Sequence, residues 1–447
     1  MRFLNLTIPA AALVAAGAVL AQSAATTPAT PTPPTTPASS PAVLGTPLSA
    51  APAAPPVTLE QALRAARENP DVAWARYAVS AAQGDLQAAD RAPLPTLSAK
   101  AGAIDLDNGL GPGNLWREKR IDKGVGLDWT VERGNKRGLR TEAAQQGLQA
   151  TRLDLAEALV QQQQAAAGAF YDLLAAQSRL EQVAGLARSA GELAEAAQRR
   201  LRAGDISQQD ALRTDIEARR AQSELRVAEA EVIRAQLALA RLTGLPAALR
   251  VADAGPVTSV PAAAAAAIDT EQRPDLRAAR SRVQGAQAAL DSAMALRRND
   301  VTVGASLDHQ PGTSRRMVEL RLQMPLGGML GTYGYEGEIA RARAQLEQAQ
   351  AQLDKVQRTA AADSARLQAD LREAAARSAR FQDEIVPRAR QVAGMAELAY
   401  SKGALSLTEL IDARRTLRAV LLDDIAARSD FGRAAAVWQL RQAPINP

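Results

Sequence analysis

Apolar residues recur at every seventh position along a proline-free stretch from Lys136 to about Leu201. The first series is Leu159, Ala166, Leu173, Leu180, Ala187, Ala194 and Leu201, and a second series lies three residues after its middle members, at Ala169, Ala176, Val183, Ala190 and Ala197. This pattern, sustained over about six heptads, predicts one helix that supercoils against neighbouring helices. At roughly 1.5 Å per residue, the segment would extend about 95 Å. On this stretch alone, a generic coiled coil is the simplest interpretation.

A shorter helix and two strands are predicted before the long helix. Thr58 and Gln61 have the spacing of a capping box, which predicts a helix to about residue 90 with an interruption near Asn69-Pro70. The elements that follow are two strands of alternating polarity at 97–103 and 125–131, the long helix, a tight turn at 202–207 and a return helix that ends at residue 244.

The same order of elements begins again near residue 270. Arg273-Pro274-Asp275 matches Asn69-Pro70-Asp71, and the turn at 402–406 matches the first turn at an offset of 199 residues. The elements of this second copy are a helix to about 298, strands at 301–307 and 318–324, a long helix from about 335 to 401 that Pro387 should kink, and a last helix to 441. We therefore interpret 58–246 and 270–441 as two structural repeats.

The remaining segments are predicted to lie outside these repeats. Residues 1–21 carry Arg2, an apolar run and small residues before position 22, which predicts a signal peptide. Residues 22–57, rich in Pro, Ala and Thr, predict a disordered linker, 247–269 form a connector and 442–447 a short tail. Outside the signal there is no apolar run of about 18 residues, so no transmembrane helix is expected.

Composition favours thin helix-on-helix packing over one thick core, because 47% of residues are apolar but only 3% are aromatic. The chain has no cysteine, which excludes disulfides and a lipid anchor on an N-terminal cysteine. The net charge of +5 comes from charges mixed along the helices, so it indicates solvated surfaces and gives little support to nucleic-acid binding.

No constellation of residues predicts an enzyme, a cofactor site or a metal site. The single histidine, His309, is expected in a solvated loop at 308–315 beside Pro311-Gly312. With no cysteine and one histidine, a transition-metal site would have to rely on carboxylates or methionines.

The predicted strands each have one apolar and one polar face. Leu127, Val303, Leu320 and Leu322 should face lipid, and Asp128, Glu319 and Arg321 should face water. Four strands cannot close a transmembrane barrel, because the smallest such barrels need about eight. Open strand edges are not tolerated in lipid, so other copies of the chain must complete the sheet.

The duplicated order of elements resembles the TolC-type outer-membrane efflux channels, over nearly all of the chain after the linker. The turns at 202–207 and 401–406 resemble that family's periplasmic tips, and 239–246 resembles the end of its first repeat. The resemblance implies a mainly α fold with a small β part: duplicated coiled-coil hairpins and four strands per chain, with a homotrimer forming a 12-stranded barrel on an α-helical tunnel. It also implies a passive exit duct in the outer membrane, without cofactor, that docks a periplasmic adaptor and an inner-membrane pump of a tripartite efflux or type I secretion system.

A periplasmic coiled-coil adaptor or scaffold without a barrel is the alternative. An adaptor would carry one helical hairpin flanked by halves of small β-domains, whereas this chain duplicates its strands as well. The sequence leaves the cargo open among drugs, metal ions, solvents and secreted polypeptides.

The two turns are the predicted docking site for the adaptor. Its residues are Gly204, Asp205, Ile206, Ser207, Gly403, Ala404, Leu405 and Ser406. Charged residues near these turns that could close the tunnel are Arg202, Asp210, Glu397 and Lys402. Either turn alone could be a simple helix stop, but the repetition of the turn favours six equivalent tips in a trimer.

Overall fold

The computed structural model describes residues 56–102, 121–252, 268–310, 314–325 and 333–442. The predicted signal peptide, the linker up to residue 55, connector residues 253–267 and tail residues 443–447 lie outside the described residues. No helix in the described part combines the length and the apolar character needed to cross a membrane.

The elements follow the predicted duplicated order. The first copy consists of α1 (Leu59–Ala66), α2 (Pro70–Ala89), β1 (Thr96–Gly102), β2 (Asp122–Val131), α3 (Lys136–Ala203) and α4 (Gln208–Thr243). The second consists of α5 (Pro274–Ala295), β3 (Val301–Gln310), β4 (Ser314–Gln323), α6 (Glu336–Arg380), α7 (Val386–Ser401) and α8 (Leu407–Gln442). The long helix predicted from the heptads is therefore confirmed as α3.

The short helices of the first copy stack end to end beside α3. Asn69 is the N-cap of α2, since its side-chain oxygen accepts a bond from the backbone N–H of Asp71 at 2.9 Å. Its amide nitrogen donates to the last carbonyls of α4, those of Arg241 at 3.2 Å and Leu242 at 3.0 Å. One side chain thus provides hydrogen-bond partners for backbone groups at the start of α2 and at the end of α4. The two shorter helices α2 and α4 therefore meet end to end along α3.

The core of the bundle is thin and rich in alanine. Buried alanines occupy the seam on α3, as at Ala166 and Ala194, and the facing side of α4, as at Ala218 and Ala228. Larger side chains are grouped in clusters, one around Phe170 where α1, α3, α4 and α8 meet, and another around Trp438 between α6 and α8. Near Phe170, α8 approaches α3 so closely that a Cβ on Gly432 would overlap the ring of Tyr171.

Two residues assigned to linker and connector belong to the packed fold, which corrects the predicted boundaries. Val57 and Val251 form an isolated parallel bridge, and both pack against the cluster around Phe170. Their valine side chains find apolar partners there, which the Pro-rich and Ala-rich sequence around them did not indicate.

A wide helical turn at Phe381–Ile385 separates α6 from α7. The N–H of Val386 bonds the carbonyl of Phe381, five residues back, immediately before Pro387. Proline cannot donate to the helical ladder, and a π-type turn accommodates that lost bond. The predicted interruption at Pro387 is confirmed, and it begins six residues earlier.

Asp424, which interrupts the apolar series of the last helix, is buried instead of being turned to solvent. Its carboxylate pairs with Arg428 one turn later at 2.7 Å. The charge is therefore compensated on its own helix.

The strands form one antiparallel sheet in the order β1-β2-β3-β4, so β1 and β4 are its edges. Three strands are longer than predicted, and β3 continues through His309, which pairs with Lys123 of β2. The expectation that His309 lies in a loop is wrong, because the alternation of polarity continues past Leu307 up to Pro311.

Replacing a buried seam alanine should overpack the interface between α3 and α4. We expect Ala228→Leu, at a site 1% exposed, to cost about 1–3 kcal/mol and to lower the midpoint of thermal loss of helical circular dichroism. Ala230→Leu, two residues along the same helix at an exposed site, is the matched control and should leave the midpoint almost unchanged. Equal midpoints for the two variants would contradict the assignment of the seam.

Candidate functional site

The sheet has one exposed apolar face and one polar face, as its alternation predicted. Leu127, Val303, Leu320 and Leu322 lie on the exposed face, and Leu320 is 81% exposed. Asp128, Glu319 and Arg321 alternate with them and lie on the other face. A face this apolar, left without a partner in one chain, marks an interaction surface.

Charged side chains on the polar face pair across a strand through glycine. Asp128 of β2 lies opposite Gly304 of β3, and Gly304 lies opposite Arg321 of β4. The carboxylate extends over the glycine to Arg321, with 3.4 Å between Oδ1 and Nη2. A Cβ on Gly304 would overlap that carboxylate. We call this arrangement the first charge row.

A second charge row runs the opposite way. Asp308 of β3 lies opposite Gly124 of β2, which lies opposite Lys100 of β1. The Asp308 carboxylate reaches Lys100 Nζ at 3.0 Å, and the same nitrogen lies 3.6 Å from Glu319. Asp308 is 1% exposed, so its charge depends on this pairing. The sequence contains a signal for both rows. A glycine and an aspartate lie on the polar face of β2, and another glycine and aspartate lie on the polar face of β3.

The two helical turns have the same backbone structure. In the first, the N–H of Asp205 bonds the carbonyl of Arg200, five residues back, at 2.9 Å. In the second, the N–H of Ala404 bonds the carbonyl of Ala399 at 2.9 Å. Gly204 and Gly403 adopt φ values of 82° and 74°, the left-handed conformation that this helix ending requires. The predicted glycine stops are confirmed.

Each turn is followed by a serine that caps the next helix. Ser207 bonds Asp210 through its hydroxyl at 2.8 Å, and its oxygen accepts from the Asp210 N–H at 3.1 Å. Ser406 and Glu409 make the equivalent bonds at 2.7 Å and 3.3 Å, and the Ser406 N–H also donates to Glu409. These bonds from Ser406 hold the pKa of Glu409 below its usual range. Because the folded pKa is lowered, the stabilisation from the bonds to the Glu409 carboxylate is present at neutral pH and is lost as the pH falls through that pKa.

Polar contacts join the two hairpins near the turns. Arg200 Nη1 lies 3.2 Å from the Tyr400 hydroxyl. The other contacts are Arg213 to Thr408 at 2.9 Å, Arg418 to Glu224 at 2.8 Å, Arg414 to Ser189 at 3.2 Å, and an ion pair between Arg415 and Glu217. We call these contacts the hairpin ties.

Four of the five ties join residues separated by 194 to 200 positions in sequence. That separation nearly equals the offset between the repeats, so the two turns lie side by side at the same level. Sequence reasoning noted the offset but missed the ties, because helical periodicity does not say which charged residues of two distant hairpins will meet.

The predicted gate residues have different surroundings. Arg202 bonds the Gln198 carbonyl of its own helix at 3.3 Å, and Asp210 is occupied in the cap of α4. Glu397 pairs with Arg414 at 2.8 Å, and Arg414 is also the residue that reaches Ser189 of the other hairpin. Lys402 stands exposed at the end of α7. The structure thus links Glu397 to the hairpin ties and gives Arg202 and Asp210 local bonds, and the gating role of all four stays a prediction.

Gly304 can be tested as the residue that leaves room for the first charge row. Because a side chain there would overlap the Asp128 carboxylate, we expect Gly304→Ala to break the pair with Arg321 and reduce folded protein in the membrane fraction severalfold. Folded protein is measured by heat-modified mobility on a gel. Gly102→Ala, on β1 with no atom within 4 Å of the added Cβ, is the control and should fold normally. Normal folding of both variants would show that the row does not need this glycine.

Comparison with known proteins connects this geometry to a family. Residues 62–245 match the family described as Outer membrane efflux protein. The cobalt-zinc-cadmium resistance protein CzcC of Cupriavidus metallidurans is 25% identical over 378 residues, which cover 82% of this chain and 85% of that protein.

Solved structures share the fold over most of the chain. The outer membrane protein VceC of Vibrio cholerae superposes with a TM-score of 0.70 at 18% identity, covering 86% of this chain and 96% of that one. The MtrE outer membrane channel of Neisseria gonorrhoeae superposes with a TM-score of 0.68 at 16% identity, covering 86% and 89%. Over its first repeat the chain matches the outer membrane efflux protein family, and its two hairpins and four-stranded sheet have the fold of the TolC-type channel structures.

Proposed function

We propose that three copies of this chain assemble into an exit duct whose 12-stranded barrel lies in the outer membrane and continues as a helical tunnel in the periplasm. The observation that carries the proposal is the sheet, which has two open edges, an apolar face exposed to the surroundings and a polar face closed by charge rows. An open edge in lipid leaves backbone N–H and C=O groups without partners, at a cost of several kcal/mol for each group. Pairing β4 of one copy with β1 of the next removes both edges and keeps the sheet antiparallel.

Apolar side chains on the helices support further copies as the missing partners. Trp74 and Tyr77, one helical turn apart on α2, are 76% and 73% exposed. Other large apolar side chains exposed on the helices are Leu212, Ile216, Val227, Ile233 and Leu237 on α4, and Val392, Met395 and Leu398 on α7. Exposed apolar side chains along helices whose other side already packs within the chain favour burial against a second helical surface.

The duct is proposed to be passive. Its lumen would be lined by the polar face of the sheet, where the charges of the two rows are already paired and leave no strong fixed site for cargo. In the described ranges, no three His, Asp or Glu side chains are grouped as a metal site would require. Energy would come from an inner-membrane pump through a periplasmic adaptor.

The two turns are proposed as the docking surface for that adaptor. Both are exposed, both end in the same glycine geometry, and a trimer would present six of them. The ion pairs among the hairpin ties, Arg415 with Glu217 and Arg418 with Glu224, are half-exposed, and such pairs contribute about 0–1 kcal/mol each. A docked adaptor could therefore exchange these ties for its own contacts and open the tunnel end.

The adaptor alternative is not supported. An adaptor would have one hairpin and halves of separate β-domains, whereas here two hairpins share a single continuous sheet. The family match is also to the channels.

We further propose divalent metal ions as the first cargo to test. The support is the curated relative at 25% identity, which is named for resistance to cobalt, zinc and cadmium. The ions would pass through the duct in solution, with selection left to the pump.

The trimer can be tested by crosslinking the sheet edges, since the chain has no cysteine of its own. We expect Ala99→Cys on β1 combined with Val318→Cys, Leu320→Cys or Leu322→Cys on β4 to give crosslinked dimers and trimers on oxidation. All four positions lie on the apolar face, and the three β4 positions sample the unknown register between copies. Products are read on a non-reducing gel.

A matched control uses two interior strands. Leu127→Cys with Ala305→Cys joins register partners of β2 and β3, so oxidation should crosslink within one chain only. If all three edge pairs give only monomers and the native mass in detergent is that of one chain, the trimer proposal is wrong.

Docking at the turns can be tested with bulky residues at the two glycines. We expect Gly204→Leu and Gly403→Leu together to abolish adaptor crosslinking and the growth that the wild-type gene restores to a deletion strain on cobalt, zinc or cadmium. The physical reason is added bulk at exposed tips that an adaptor must approach closely.

Gly244→Leu is the control for backbone strain, because Gly244 ends α4 at a φ of 70° and also has no atom within 4 Å of an added Cβ. This variant should keep adaptor crosslinking and growth. Full activity of the tip variant would mean that the turns are only helix stops. Failure of the wild-type gene to restore growth on any of the three metals would reject the cargo proposal, and adaptor crosslinking would still decide the docking proposal.

A further inference from the structure

Each of the two hairpins has a groove between its helices near the turn, and one of these grooves is covered within the chain. In the first hairpin, α8 lies over the groove between α3 and α4, so that Ile411 and Arg418 line the same cavity as Leu193 and Ala221. Thr214 and Ala221 of α4 are 1% and 8% exposed there. We call this the covered groove.

The second hairpin has the same groove between α7 and α8 without a cover. The positions 199 residues after Leu193 and Glu217 are Val392 of α7 and Thr416 of α8. Val392 is 49% exposed and Thr416 is also exposed, whereas Leu193 and Glu217 are half-buried. The offset holds throughout α7, because the wide turn at Phe381–Ile385 lies before it. We call this the open groove.

The helix face that corresponds to the cover lies on α4. The residues 199 positions before Ile411, the first residue of the cover, and its three companions on α8 are Leu212, Asp215, Ile216 and Arg219. Leu212 and Ile216 are 52% and 61% exposed, and the side chain of Arg219 is 76% exposed. We call these four residues the outer face of α4. One chain therefore carries both a groove without a cover and a cover without a groove.

The charges of the outer face match those of the open groove. Within the chain, Arg418 of the cover pairs with Glu224 of the first hairpin at 2.8 Å. The counterparts of these two residues are Arg219 on the outer face and Asp423 in the second hairpin, again an arginine and an acid. Asp423 is exposed. Placing the outer face on the open groove would therefore repeat this ion pair.

A second position is also complementary. Arg414 of the cover reaches the Ser189 hydroxyl at 3.2 Å, and the counterparts of these residues are Asp215 and Arg388, which carry opposite charges. Both counterparts are bonded in one chain only to residues four positions away on the same side of the molecule. Complementary charge of this kind favours one orientation of two docked surfaces.

One ion pair of the covered groove has no ionic counterpart. Arg415 pairs with Glu217, whereas the corresponding positions hold Ile216 and Thr416. Ile216 would instead bury its apolar side chain in the open groove, where Val392 is exposed. The contact made by the outer face would thus be more apolar than the contact made by α8 within the chain.

We propose that the outer face of α4 covers the open groove of a neighbouring copy. Arg219 pairs there with Asp423 of the neighbouring copy, and Asp215 pairs with Arg388 of the neighbouring copy. This inference rests on the proposed function, because it needs the trimer. It makes the six hairpins a closed ring in which contacts within chains alternate with contacts between chains, so the tunnel end can open only if both kinds of contact loosen.

The first test places thiols across the proposed contact, since the chain has no cysteine of its own. We expect Asp215→Cys with Arg388→Cys, treated with a short bismaleimide in detergent, to give linked dimers and trimers on a denaturing gel. Ser189→Cys with Arg414→Cys is the matched control, because it occupies the corresponding positions of the covered groove. The same reagent should link this control pair within one chain, as linked peptides from the monomer band.

The second test exchanges the charges of one ion pair. We expect Arg219→Glu alone to raise the fraction of monomer in detergent by about fivefold, because it brings two acids together at each contact between copies. Arg219→Glu combined with Asp423→Arg should restore the wild-type fraction. Arg358→Glu, at an exposed site on α6, is the control and should leave the fraction unchanged. A double variant no better than Arg219→Glu alone would overturn the proposal.

Crosslinking at the sheet edges separates this inference from the function on which it rests. If the edge cysteines on β1 and β4 give only monomers and the native mass is that of one chain, both the trimer and the contact between α4 and the open groove are rejected. If the edges link into trimers while the thiols at 215 and 388 stay unlinked between copies, the α4 contact alone is rejected. Linkage of Arg388→Cys in cells to an adaptor in place of a second copy would also reject it.

Discussion

The close approach of α3 to its neighbours depends on small side chains at their seams. Ala166, Ala194, Ala218 and Ala228 are buried at these seams, and their small side chains occupy little volume between the packed helices. Each alanine contact therefore buries little apolar area. The stabilisation from apolar burial must come from many such contacts along the full length of α3. This explains why α1, α2 and α4 together accompany α3, and why Asn69 joins α2 to α4 at the point where their ladders end.

In the sheet, small residues have a different role: glycine leaves room for ion pairs that cross a strand. Gly124 and Gly304 leave room on the polar face for carboxylates to cross a strand and reach Lys100 and Arg321. The charges of the two rows are thus paired within one chain. The apolar face stays exposed and the two edge strands lack a neighbour, so the sheet is complete on its polar face and incomplete on its apolar face and at its edges.

Much of this architecture followed from local pattern, and the differences have physical reasons. Heptads located α3 to within two residues, and alternation assigned Leu320 and Arg321 to opposite faces, because both signals repeat along one element. Proline and glycine at 311 and 312 suggested a loop from residue 308, but β3 continues to Gln310, since neither residue affects the strand before it. The hairpin ties and the bridge of Val57 to Val251 join distant parts of the chain, so they depend on how elements meet and no local period encodes them.

Ion pairs differ between the middle of the bundle and the turns, and the proposed opening at the turns depends on this difference. Near the cluster around Phe170, Arg441 pairs with Glu157 at 2.7 Å, and both side chains are only 11% exposed. Separating such a pair leaves a buried charge without a partner, at a cost of about 3–5 kcal/mol. At the turns, Arg415 of one hairpin pairs with Glu217 of the other, their side chains are 48% and 21% exposed, and water can replace either partner. If the two hairpins move apart at their tips, only the partly exposed pairs near the turns are broken. Movement at the turns can therefore leave the buried pairs and the sheet unchanged.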